Sequence, residues 1–127
     1  MERPRALIIS DSPDRTHFLK YHIQGHGMKP IHYPNHGSAL RALEADAFGM
    51  VVVDLTLPIE SKLDLVKTAC QRQKDAIVMT IGKTRYLQNA RVLEGFDAVE
   101  CLSTIQAFPE KLRSDDRHER HAEASDP

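Results

Sequence analysis

Charge of one sign is missing from this chain. Lys and Arg number 17 against 18 Asp and Glu over 127 residues, a net charge of −1. That balance argues against a nucleic-acid module, which carries a basic face. Cysteine is scarce, with only Cys70 and Cys101 present. A secreted disulfide scaffold is far denser in cysteine, and two distant thiols are too few for a cysteine-based zinc site. No apolar run approaches the ~20 residues that span a bilayer. The first apolar stretch, Ala6-Leu7-Ile8-Ile9, is too short for the core of a secretory signal. A cytoplasmic protein with reduced thiols and no membrane contact is the expectation. Glycine-rich phosphate loops, nucleophile elbows and internal repeats are also missing.

What is present divides into a body and a tail. Residues 114–127 hold five acids, two arginines and no large apolar residue, a net charge of −3. They cannot bury apolar surface of their own and read as a disordered tail. By subtraction, residues 1–113 carry 15 basic and 13 acidic groups and form one domain. Within it, short apolar runs alternate with amphipathic stretches. Ala6–Ile9 reads as a strand that ends at Ser10-Asp11-Ser12, and Pro13 opens a helix closed by Gly25 and Gly27. Met28–Tyr33 forms a second strand. Pro34-Asn35-His36-Gly37 is a turn, and Ser38–Ala45 a short helix with Leu40 and Leu43 inward. Met50-Val51-Val52-Val53 has the continuous β-branched character of a strand buried on both faces. A helix from about Ser61 to Arg72, a strand at Ala76–Met79, a helix through Tyr86 and Leu93, a strand at Ala98–Leu102 and a helix over Thr104–Arg113 complete the pattern. Five strand–helix repeats imply an α/β fold: a doubly wound, five-stranded parallel sheet with helices on both faces. Ligands bind outside the carboxyl ends of such strands, here Ser10, Asp11, Asp54, Thr80 and Leu102.

Asp11, the run Val51-Val52-Val53-Asp54-Leu55-Thr56-Leu57-Pro58, Thr80 after a strand, and Gly95-Phe96-Asp97-Ala98 resemble the response-regulator receiver domain. The resemblance covers about residues 5–113. It implies the flavodoxin-like (βα)5 fold and a role in two-component or phosphorelay signalling rather than enzymatic turnover. In a complete receiver, an aspartate ending strand three accepts a phosphoryl group from a histidine kinase. Mg²⁺ and positioned donors neutralise the negative groups that this chemistry gathers.

Carried over by position, Asp54 is the phosphoacceptor candidate and Thr80 the switch hydroxyl. Asp11, Asp54 and the carbonyl of Thr56 form a candidate Mg²⁺ site, expected to be weak. The departures are specific. Ser10 stands where the first acid belongs, and Leu102-Ser103 where the family has Lys-Pro. Val99 replaces an aromatic residue, Lys62 a usual glycine, and Ile81 a smaller residue. Lys83, after strand four, could lend a charge to the pocket, but reads better as a solvated lysine. With the strand-five lysine gone, one phosphoryl oxygen lacks a partner worth about 1.5–3 kcal/mol.

Blander roles exist for the same residues. Asp54 could accept loop amides, Asp11 could cap the helix at Pro13, and Thr80 could satisfy loop backbone. His22 and His26 have metal-pair spacing, but Gly25 and Gly27 break the helix there, so a solvated face is expected. Cys101 reads as a core residue. The expected function is a stand-alone, atypical receiver-like module that docks on a sensor histidine kinase or another signalling protein. Docking would use the helix four–strand five–helix five face, whether or not Asp54 is phosphorylated. A second class, a small flavodoxin-fold flavin or nucleotide binder, is disfavoured by the acidic, proline-closed loop after strand one.

Overall fold

The computed structural model of the chain describes residues 4–55, 59–82 and 99–113. Each apolar run becomes a strand. β1 (Arg5–Ile9) is followed by α1 (Pro13–Gly25), β2 (Lys29–Tyr33) and α2 (His36–Ala45). β3 (Met50–Asp54), α3 (Ile59–Arg72), β4 (Ile77–Ile81) and β5 (Glu100–Leu102) follow. A 3-10 turn over Ile105–Ala107 leads into helix at residues 108–113. All four strand pairings are parallel, in the order β2-β1-β3-β4-β5. This is the doubly wound, flavodoxin-like arrangement expected for a receiver.

Alternation along the strands divides the core in two. Leu7, Ile9, Val51 and Val53 face Leu43, Leu65, Val66 and Ala69 of α2 and α3. Ala6, Ile8, Met50, Val52 and Met79 face Leu19 and Ile23 of α1 together with Phe108 and Leu112. A strand with period-two side chains and helices on both faces has no polar side, which is why β1 and β3 are nearly unbroken apolar runs. β2 lies at the sheet edge, with Pro30 in register with Ala6. Buried Gln73 ties the end of α2 to the next loop. Its Nε2 donates to the carbonyls of Leu43 and Asp46, and its Oε1 accepts from Phe48 N–H.

Several boundaries differ from the sequence reading. α2 starts at His36 rather than Ser38, because Asn35 caps it: its Oδ1 accepts from Ser38 N–H at 2.8 Å. α3 starts at Ile59, ahead of Ser61. β4 runs on to Ile81, so Thr80 lies within the strand. Cys101 is exposed rather than buried. The segment through Tyr86 and Leu93, the Gly95–Ala98 motif and residues 114–127 lie outside the described residues. Among the described residues, no helix is long and apolar enough to cross a membrane.

Candidate functional site

The register brings the carboxyl ends of the central strands together. Ile9 pairs with Val53, Val53 with Thr80, and Ile81 with both Asp54 and Leu102. Ser10 leaves β1 beside Asp54, the last residue of β3. Ser10, Asp54 and Thr80 are all buried, with Asp54 only 1% exposed.

A carboxylate this deep must be compensated. Both of its contacts fall on one oxygen: Ser10 Oγ donates to Asp54 Oδ2 at 2.9 Å, and Arg15 Nε donates to the same oxygen at 2.8 Å. Ser10 is itself held in place, its Oγ accepting from Ser12 N–H and its carbonyl lying 2.9 Å from His32 Nε2. Among the described residues, Asp54 therefore pairs with side chains rather than with loop amides. Its second oxygen, Oδ1, is buried and has no hydrogen-bond partner among the described residues, and the same is true of Thr80 Oγ1.

Asp11 does not cap α1. Ser12 does, its Oγ accepting from Arg15 N–H at 3.3 Å, and Pro13 fills the first turn, where a missing N–H costs nothing. Asp11 instead faces Lys62, whose Nζ lies 3.3 Å from each of its carboxylate oxygens. The Lys62 side chain is 7% exposed and that of Asp11 50%.

The strands thus gather Ser10, Asp11, Asp54 and Thr80, while Thr56 and Lys83 fall outside the described residues. Leu102 ends β5 as a buried apolar residue next to Ile81. Val99 packs against the α2–α3 side of the core. Arg15 and Lys62 complete the site. Arg15 was not singled out in the sequence, and Lys62 only as a replacement for glycine.

As folded, this set does not fit a tightly held divalent ion. Mg²⁺ keeps several waters and is held by one or two carboxylates that must be free to meet it. Among the described residues, no three His, Cys, Asp or Glu side chains gather as a metal site. The two carboxylates on hand already face protein cations.

No protein-family model matches the chain. A solved CheY-like receiver domain from Methanospirillum hungatei superposes with a TM-score of 0.72 at 18% identity, covering 94% of this chain and 99% of that one. Its fold is that of the CheY-like receiver domains. The TrrA response regulator of Thermotoga maritima, solved with Mg²⁺ and BeF, matches this chain with a TM-score of 0.70 at 20% identity, over 87% and 97% of the two chains. The response regulator receiver protein CpdR of Brucella abortus is 26% identical over 77 residues. That match spans 61% of this chain and 64% of its relative.

Proposed function

We propose that this receiver domain is a docking module of two-component signalling, a binding protein rather than a catalyst, whose pocket is held in one state by its own side chains. The observation that carries this reading is the double contact on Asp54 Oδ2, from Ser10 at 2.9 Å and Arg15 at 2.8 Å. Its carboxylate charge is balanced without any added group. A phosphoryl group arriving there would meet no lysine at the end of β5, where Leu102 stands. Val99 offers a short, stiff side chain in place of a ring that could swing with Thr80. Partner binding at β5 and the helix after it is then independent of the pocket. The partner class, a sensor histidine kinase or another signalling protein, follows from the likeness to response regulators.

A second reading, that Asp54 accepts a phosphoryl group, is favoured by a specific observation. Asp54 Oδ1 and Thr80 Oγ1 are buried polar atoms without partners among the described residues, and such atoms are costly unless something meets them. One experiment separates the two. The full chain is incubated with Mg²⁺ and acetyl phosphate and its intact mass measured, alongside amide NMR spectra with Mg²⁺ and beryllofluoride. The docking reading expects no phosphoryl mass gain and no shift of β4 or β5 resonances. A gain that disappears in Asp54→Asn would establish the second reading and overturn the first.

A further inference from the structure

Arg15 is the third residue of α1 and Lys62 the fourth of α3, so both flanking helices place a cation in their first turn. The helix dipole disfavours positive charge there, so neither position is a natural one for a lysine or arginine. Lys62 is buried as well, and a buried ammonium needs a facing anion. Asp11 supplies it at 3.3 Å, as Asp54 supplies the partner of Arg15 at 2.8 Å.

We propose that Arg15 and Lys62 are resident cations that fill the place of a divalent ion between Asp11 and Asp54, and that they, more than the neutral Ser10, keep such an ion weakly bound. An entering ion would meet two positive charges on the oxygens it must ligate. It would have to displace Lys62 from Asp11, the one acid that faces it among the described residues, and leave an ammonium unpaired in a buried place. Restoring an acid at position 10 does not remove this obstacle. A carboxylate there would lie beside Asp54 Oδ2, within the field of the same guanidinium.

Mn²⁺ serves as the probe, with the free ion counted by electron paramagnetic resonance in titrations of the full chain. Three proteins are compared: wild type, Arg15→Met/Lys62→Met, and Ser10→Asp. Methionine keeps the length of the stems and removes the charge. The double variant is expected to bind at least tenfold more tightly than wild type, and Ser10→Asp to gain less than threefold. Equal or weaker binding by the double variant overturns the proposal, as does a larger gain from Ser10→Asp. Should the double variant lose its far-UV circular dichroism, Lys62→Met alone carries the same comparison with a threshold of threefold. Metal exclusion and pocket-independent docking fail separately, because phosphoryl gain and NMR response report on the docking reading while Mn²⁺ affinity reports on the cations.

Discussion

The two halves of the pocket are built on opposite terms. On the β1–β3 side, Ser10, Arg15 and Asp54 form a closed set around one carboxylate oxygen. On the β4–β5 side, Thr80 keeps a buried hydroxyl with no partner among the described residues, Leu102 closes the strand with an apolar cap, and Cys101 faces solvent. A receiver that switches needs both halves answering the same ligand. Here the carboxylate of one half is paired within the chain, and the strand of the other half ends in apolar Leu102.

The seam between the halves should be the most fragile place. Leu55 N–H bonds to Ile81 O, and Gly82 N–H to Leu102 O. Gly82 has φ +152°, and a Cβ added there would stand 2.9 Å from Leu55 Cβ and 3.0 Å from its carbonyl oxygen. Gly82→Ala should destabilise the domain by about 3 kcal/mol, read from the urea midpoint. A loss below about 1 kcal/mol would mean that the seam relaxes and the halves are not tightly joined.

Next in size comes a pair of opposite signs. Arg15→Ala removes the cation from a buried carboxylate and should cost about 1–3 kcal/mol. The guanidinium side chain is 34% exposed, which keeps the loss below that of a fully buried ion pair. Thr80→Val replaces an unpartnered hydroxyl with a methyl of the same shape and should stabilise by about 1 kcal/mol. Equal signs for the two would erase the contrast between the halves.

Thiol chemistry sharpens it further. Cys101 is exposed on β5, whereas Cys70 is partly buried and its burial pushes the thiol pKa up. Iodoacetamide at pH 8 should modify Cys101 well before Cys70, as followed by peptide mass. Equal rates would show that β5 is covered in solution.

The smallest effect lies away from the pocket. His22 titrates below its ordinary value of 6.5, first because of burial, then because of His26 and Arg113. The unfolded chain then takes up a proton at a higher pH than the folded one. Stability is full above about pH 6.5, declines as pH falls toward the folded value, and is flat below it. His22→Gln should reduce the drop in urea midpoint between pH 7.5 and 5.5. An unchanged drop would assign the pH dependence elsewhere.

Much of the fold was legible because burial on both faces leaves an unmistakable pattern: Met50–Val53 admits no polar residue, and β3 has none before Asp54. The start of α2 was not, since Gly37 and Pro34 suggest a turn and only the Asn35 side chain reveals where the helix begins. Within the site, Ser10, Asp11, Asp54 and Thr80 follow from strand ends alone. Arg15 and Lys62 do not, because a long flexible stem gives no sign of where its charge will rest. A signal was nonetheless present: both follow pocket loops closely, in helix turns where cations are unfavourable.

Pro30 has a consequence for self-association. Lys29 N–H bonds to Pro4 O, toward β1, so alternate residues of β2 turn their backbone groups the other way, to the free border of the sheet. Pro30 is one of these and has no N–H to offer. A strand from another molecule seeking to extend the sheet would find a donor at His32 but none at Pro30, too sparse a ladder to hold it. The chain thereby protects its longer outer strand from fibre-like growth with a single ring.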